Sequence, residues 1–293
     1  MATTPTPHSA YSAAADSADV TSTRAERMAA LRAHLLSLGR VGIAVSGGVD
    51  SLTLAAFAWS LRAGGSDGAD GAPGLDVTLF HASSAAVPKD AARRVQDLAA
   101  ARGWRLVVVD AGEVDDPRYA QNPVNRCYFC KSHLFDAVAA GFDGPICTGA
   151  NLDDVSDVRP GRIAAAERAV HEPFVAAGLT KSDVRALARE LGLNDVAELP
   201  ASPCLSSRVE TGIAIDAALL RLVDDVEGAL RGLGLSVVRC RVRARGIVIE
   251  HEGAVDEAAI LLRVLPLVAG RSVSFAPYRQ GSAFLRGALP VLS

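Results

Sequence analysis

The run Val41-Gly42-Ile43-Ala44-Val45 has no polar position, so it cannot form a strand with one wet face. Directly behind it come Ser46-Gly47-Gly48-Val49-Asp50-Ser51 and then a helix-like stretch over 52–61. A strand buried on both faces, a glycine loop and a helix make the opening unit of a parallel sheet. The pattern recurs, with strands expected at 75–80, 104–109 and 145–148 and helices at 91–102 and 131–140. Such alternation predicts a doubly wound α/β domain, whose ligands bind beyond the carboxyl ends of the strands. The Ser46 loop and the segment Gly149-Ala150-Asn151-Leu152-Asp153-Asp154 both fall there.

Helices are also expected from Thr23 to Gly39 and from an N-cap at Thr180 to Gly192. After an irregular stretch at 200–212 the character changes. An amphipathic helix over 215–233 precedes paired strands at 235–243 and 246–250, a helix at 255–267 and a strand at 272–275. The chain therefore divides into a disordered Ala/Ser/Thr/Pro tail (1–22), an α/β domain (23–205) and a smaller α+β domain (206–293) for substrate binding or oligomerisation.

Composition narrows the function. Thirty Lys and Arg against 33 Asp and Glu give a net charge of −3, which lacks the basic excess of a chain that grips nucleic acid backbone. No apolar run reaches membrane-span length and the tail has no signal-peptide core, so a cytoplasmic protein is expected. Five cysteines in 293 residues are too few and too uneven for a disulfide scaffold.

Ser46, Gly47, Gly48, Asp50 and Ser51 open a helix, where backbone N–H groups and the helix dipole form an anion site and the serines add hydroxyl donors. The loop is neither GxxxxGK[ST] nor GxGxxG, and it contains no lysine for a β,γ-phosphate. A tight strand-to-helix turn is the plain alternative. Cys127-Tyr128-Phe129-Cys130 is a CxxC pair, and Cys204 stands in Pro203-Cys204-Leu205-Ser206-Ser207-Arg208. A CxxC alone fits a redox pair, a zinc knuckle or a cluster ligand. The setting is not thioredoxin-like, and a four-ligand zinc site would have to recruit His133. Three thiolates suit a [4Fe–4S] cluster with one open iron that can hold a sulfide. Cys147 and Cys240, inside strand patterns, read as packing residues.

The SGGVDS loop resembles that of the PP-loop ATP pyrophosphatases, and GANLDD resembles their second loop, GTNxDD, with Ala150 in place of Thr. That resemblance implies ATP and Mg²⁺ as cofactors. It places Ser46, Gly47, Gly48, Asp50, Ser51, Asn151 and Asp154 at the nucleotide, with Asp50 helping to hold the metal.

SGGVDS, NRCYFCK, GANLDD, DVRPGR, GLTKSDVRALARELGL, ASPCLSSR and YRQGS, in that order over 41–281, together resemble the LarE-type sulfur transferases of nickel-pincer nucleotide biosynthesis. Members adenylylate the carboxylates of pyridinium-3,5-biscarboxylic acid mononucleotide and replace an oxygen of each with sulfur. Some take it from the cysteine of PCLxSR; three-cysteine members resemble this chain more closely, which implies a [4Fe–4S] cluster on Cys127, Cys130 and Cys204 fed by sulfide or another sulfur donor. The resemblance further implies Cys204, Asp50 and Arg208 as catalytic residues, Ser207, Arg208, Glu227, Arg239 and Arg241 at the substrate, and a homo-oligomer.

Three departures fall on the acceptor side: Val248 where the family has Arg, Ser274 where it has Asp, and Val209-Glu210-Thr211-Gly212 where it has an aromatic Pro-Tyr-Gly run. A tRNA thiolase would share the loop and cysteines but needs a basic, aromatic RNA surface, against which stand the net charge, two Trp and four Tyr. A nucleotide-binding module without turnover is the non-enzymatic alternative.

Overall fold

The computed structural model describes residues 22–62, 74–155, 160–201 and 203–279. The expected disordered tail, except Ser22, lies outside these residues, as do most of the 63–74 linker, Asp157 to Arg159 of DVRPGR and the last three residues of YRQGS.

Helix α1 (Arg24–Leu38) starts on a capping box in which the Thr23 hydroxyl accepts from Glu26 N and Glu26 accepts from Thr23 N. Gly39 at φ 66° ends it. Strand β1 (Arg40–Ala44) then enters the sheet, buried at every position after its first. Helix α2 (Val49–Ser60) is buried over nine of its twelve residues, as a helix between sheet and outer layer must be. Strand β2 (Asp76–Ser83), helix α3 (Lys89–Arg102), strand β3 (Leu106–Asp110), helix α4 (Arg126–Gly141) and strand β4 (Ile146–Cys147) complete the sheet. Its order is β3-β2-β1-β4 and every pairing is parallel, with Ala44 opposite Phe80 and Ile43 opposite Cys147. Helices α5 (Pro160–Glu167) and α6 (Lys181–Glu190) follow.

One core joins the sheet to α1, α2, α3 and α6 through Leu35, Ile43, Leu52, Leu79, Val95 and Leu187. The other face carries Phe80, Phe135, Val138 and Phe142. The parallel α/β architecture and the separate small C-terminal sheet agree with the reading from sequence.

That second sheet is built from β5 (Val238–Arg243), β6 (Gly246–His251) and β7 (Val273–Pro277), with β5 and β6 antiparallel and β6 and β7 parallel. Helix α7 (Ala217–Arg231), capped by Asp216, packs on β5, and α8 (Glu257–Val264) crosses from β6 to β7. Its core of Leu220, Val223, Val226, Cys240 and Ile249 also takes in Ala86 and Tyr119 from the first domain. The chain segment at 205 is thus a packed junction. No helix among the described residues is long and apolar enough to cross a membrane.

Four short or medium helices escape the periodicity of the sequence: Pro117–Ala120, α5, Pro173–Ala176 and Asn194–Ala197. The first three begin on proline, which fits the first turn of a helix but reads as a breaker in sequence. Helix α4 starts at Arg126, five residues before the expected 131, and so takes Cys127 and Cys130 into its first turns.

Candidate functional site

The Ser46 loop is closed on itself. Ser46 N donates to Ser51 Oγ at 3.1 Å, the two serine hydroxyls are 3.2 Å apart, and Ser51 Oγ reaches Gly48 O at 3.3 Å. Gly47 has φ +83° and lies so close to α3 that a Cβ would stand 2.7 Å from Ala91 O. Gly48 has an ordinary backbone conformation, and a Cβ there would meet only Ser46 Oγ, at 3.6 Å. The two glycines therefore differ: Gly47 is required by the fold, and Gly48 leaves one side of the loop open.

The second loop is pressed against the first. A Cβ on Gly149 would come within 2.7 Å of the Asp50 carbonyl carbon and of Ser51 N. Asn151 caps the short turn Leu152–Asp154: its side chain accepts from Asp153 N at 3.1 Å, and Asp154 Oδ2 accepts from Asn151 N at 3.1 Å. The Asn151 amide also donates to Asp50 Oδ1 at 3.2 Å. Lys181 Nζ takes the other oxygen of Asp50 at 2.5 Å, while Lys181 N donates to Asp153 Oδ2 at 3.3 Å. Ser46, Gly47, Gly48, Asp50, Ser51, Asn151 and Asp154 are thus gathered at one end of the sheet. The loop has no lysine of its own, but the fold supplies one from the first turn of α6. Sequence reasoning placed Thr180 at a helix start; that the next residue reaches a loop 131 positions away is a tertiary fact.

Cys127 and Cys130 sit on the first turns of α4, and Cys204 precedes the 3-10 turn Leu205–Arg208. Cys130, Cys204 and Phe129 pack against the C-terminal core beside Tyr119. The Cys130 thiol is pushed up to about 12 mainly by burial, with the charges of Cys204, Glu113 and Cys127 adding to the effect and Lys131 opposing it. The three thiols therefore share one neighbourhood. Among the described residues, however, no group of three His, Cys, Asp or Glu side chains is gathered closely enough to hold a metal ion. The donor chemistry suits a cluster, and the ligand set is not closed. His133 is not its fourth member: Nδ1 faces Ala111 O at 3.0 Å and Nε2 faces Asp116 Oδ2 at 2.8 Å, so both ring nitrogens are turned to other acceptors. Arg118 first, then His133, hold the Asp116 carboxyl well below the usual carboxylate range.

Cys147 and Cys240 are fully buried, as packing residues are. Burial raises the Cys147 thiol from the ordinary 9.0 to about 12, as it does Cys130. The folded chain keeps these protons where the unfolded chain has lost them, so their contribution to stability is complete below about pH 9 and falls as pH rises towards 12. Urea midpoints are expected to be lower at pH 10 than at pH 8, with the loss reduced in Cys130→Ala.

The Cys204 segment docks on the carboxyl edge of the sheet, where Leu205 N donates to Ala86 O at 2.8 Å in the β2–α3 connection. Three buried arginines grip it from behind. Arg208 gives Nε to Glu227 Oε1 at 2.9 Å and Nη2 to Oε2 at 3.1 Å, and Nη1 reaches Pro203 O, Cys204 O and Ser207 Oγ. Arg239 donates to Ala201 O at 3.0 Å and Val238 O at 2.8 Å, and lies 5.4 Å from the Tyr278 ring centre. Arg241 pairs with Glu250 at 2.8 Å and donates to Ser207 O at 2.9 Å. Tyr119 OH and Ser206 Oγ bond to each other. Ser207, Arg208, Glu227, Arg239 and Arg241 thus form a second group, built around the loop that carries Cys204.

Within that group Arg208 and Glu227 act first as a clamp. Glu227 is 1% exposed, and its Oε1 also accepts from Cys240 N at 3.0 Å. Glu227→Ala strands a buried guanidinium and is expected to cost about 3–5 kcal/mol in urea unfolding; a cost under about 1 kcal/mol would remove the clamp. Arg239 differs, because no carboxylate among the described residues pairs with it. Burial foremost, and then Arg208, lower its pKa.

The register also relates two of the departures. Arg241 is opposite Val248, and Val248 is opposite Ser274, so one row across the sheet carries both. In this chain an apolar residue and a hydroxyl stand side by side next to Arg241.

No family model matches the chain. It is 36% identical over 219 residues to an uncharacterized protein of Synechocystis sp., which covers 72% of this chain and 76% of that one. It is 31% identical over 223 residues to the pyridinium-3,5-bisthiocarboxylic acid mononucleotide synthase of Lactiplantibacillus plantarum, covering 75% of this chain and 77% of the relative. An uncharacterized protein of Methanocaldococcus jannaschii is 30% identical over 137 residues, 45% of this chain and 53% of its own. The parallel sheet carries a glycine loop at its carboxyl end, and the likeness to the Lactiplantibacillus synthase puts the chain in a class of sulfur-transferase enzymes. The chain belongs to the LarE-type family, that of the Lactiplantibacillus synthase.

Proposed function

We propose that the protein is an ATP-dependent sulfur transferase that converts pyridinium-3,5-biscarboxylic acid mononucleotide to the bisthiocarboxylic acid mononucleotide. The observation that carries this reading is the placement of Asp50 at the start of α2, bonded to both Lys181 and Asn151 beside an open glycine, in a chain of this family. A substrate carboxylate oxygen attacks the α-phosphorus of ATP and pyrophosphate leaves. A sulfur nucleophile then attacks the acyl carbon and AMP departs with the oxygen. The loop amides and Lys181 would take the pyrophosphate charge, and Asp50 would help hold Mg²⁺, which neutralises the leaving group. Arg239 and Arg241 would bind the anionic groups of the substrate. Cys127, Cys130 and Cys204 would hold a [4Fe–4S] cluster, which when bound supplies an iron that carries sulfide.

The test is incubation of anaerobically purified, iron-assayed protein with Mg·ATP, sulfide and the pyridinium biscarboxylate nucleotide. AMP and pyrophosphate formation that depends on the nucleotide, with a sulfur-for-oxygen mass change, is the expected result. Turnover of ATP with a tRNA and not with the nucleotide would sink the assignment.

The two glycines separate binding from folding. Gly48→Ala is expected to leave the melting temperature near that of the parent while removing ATP binding, because its Cβ projects where phosphate approaches the backbone. Gly47→Ala forces a side chain into a left-handed conformation against Ala91 O and is expected to cost more than about 1 kcal/mol in urea unfolding. Calorimetry and nucleotide titration of the pair check both statements.

A further inference from the structure

The Ser46 loop is held from outside by two side chains that no motif contains. His81, on β2 and 2% exposed, places Nδ1 2.8 Å from Val45 O. A carbonyl can only accept, so Nδ1 carries the proton. Among the described residues its Nε2 is buried with no hydrogen-bond partner, and the contact with Val45 is the one polar use of the ring. Arg94, on α3, donates Nη1 to Gly47 O at 2.8 Å.

The peptide group turns these contacts into aim. In a planar trans peptide the N–H points opposite to the C=O. The 45–46 peptide is fixed at both ends, by His81 on Val45 O and by Ser51 Oγ on Ser46 N. In the 47–48 peptide, Arg94 draws the carbonyl towards α3, so Gly48 N–H is turned away from α3. Close to Gly48 there is room as well, since among the described residues a Cβ there would meet nothing nearer than Ser46 Oγ at 3.6 Å. The amides of a first helical turn have no intrahelical acceptor, so their direction decides whether they can receive an anion. Gly47, pressed on Ala91 O between the two pins, allows the turn.

We infer that His81 and Arg94 are positioning residues that fix the nucleotide loop by holding the carbonyls of Val45 and Gly47, keeping the amides after Gly47 aimed at the phosphates. The inference rests on the nucleotide reading of this loop, but its first measurement needs no nucleotide. Without the pins the loop samples other peptide orientations, and the phosphate loses aligned donors although no residue that touches it has changed.

The experiment compares His81→Leu and Arg94→Met with His81→Asn and Arg94→Lys, which keep an N–H donor near the original atom. Exchange of the Ser46 amide, which donates to Ser51 Oγ, is expected in ligand-free protein to rise at least tenfold in the first two and to return most of the way in the second two. In the turnover assay kcat/KM for ATP is expected to fall about a hundredfold in the first two, since small misplacements at a reacting centre have effects of that order. KM for the pyridinium substrate is expected to stay within a few-fold. Equal exchange in a folded Arg94→Met overturns the inference, and that variant decides it if His81→Leu does not fold. A fall in stability alone, with kcat/KM per folded molecule unchanged, overturns it as well. If the wild-type protein does not turn over ATP, the functional reading fails, while the exchange result still decides whether the two side chains hold the loop.

Discussion

Asp50→Asn is expected to abolish AMP and pyrophosphate formation, with kcat falling on the order of a hundredfold or more, while the fold survives. The carboxylate lies at the start of α2 with one oxygen on Asn151 and the other on Lys181. Asparagine keeps the shape and one acceptor but removes the charge with which Asp50, on the proposed reading, would help hold Mg²⁺. The lost ion pair is partly exposed and accounts for about 1 kcal/mol or less of stability. Lys181→Ala is expected to damage the same step. If the two groups act as a unit, the double variant is little worse than either single one. Pyrophosphate release in rapid quench, with urea unfolding alongside, separates the chemistry from the fold. A variant at position 50 that adenylylates at near parental rate would remove the loop from the reaction.

The strand–loop–helix unit around Ser46 is legible in the sequence because its residues are local. An all-apolar strand, two glycines and a helix start within eleven residues, and the parallel sheet fixes where they point. His81 and Arg94 lie outside every quoted motif, and Lys181 lies inside one, GLTKSDVRALARELGL, yet that each reaches the Ser46 loop from a different element is a tertiary fact that no spacing shows. The sequence pattern starts the helix of the CxxC pair five residues late, because Tyr128 and Phe129 between two cysteines carry no strong helical signal. The family resemblance implies Arg208 and Glu227 at the substrate. The structure shows them bonded to each other and to the Cys204 loop, a pairing that links 3-10 turn to helix and leaves no trace in spacing. Arg239 and Arg241 alternate on one strand face, which is visible in sequence. What is not visible is that Ala201 O and Ser207 O, on either side of Cys204, are their partners.

The cysteine series is expected to give the other large effect. If the three thiols act as one ligand set, Cys127→Ala, Cys130→Ala and Cys204→Ala should each lose most of the iron found in anaerobic parent protein, and each should fail to deliver sulfur. All three should still form AMP and pyrophosphate, because the Ser46 loop is built from other elements. The rival chemistry uses Cys204 alone. Its sulfur attacks the acyl carbon, AMP leaves, and loss of the α-proton with cleavage of the Cβ–S bond yields the thiocarboxylate and dehydroalanine. That route gives one sulfur per chain and lowers the mass at position 204 by about 34 Da, the mass of H₂S. The geometry bears on the choice in two ways. Cys130 and Cys204 are partly buried against the same C-terminal core, which favours joint use, yet among the described residues the three thiols are not drawn together as they stand. Arginines hold the backbone on both sides of Cys204. Ligation by all three thiols therefore requires either movement of this segment or of the α4 start, and proton loss from Cys130, whose burial opposes it. Iron loading of the parent should accordingly release protons and speed up as pH rises from 7 to 9. An unchanged Cys204 after many turnovers supports joint ligation, whereas dehydroalanine at 204 with intact Cys127 and Cys130 would sink it.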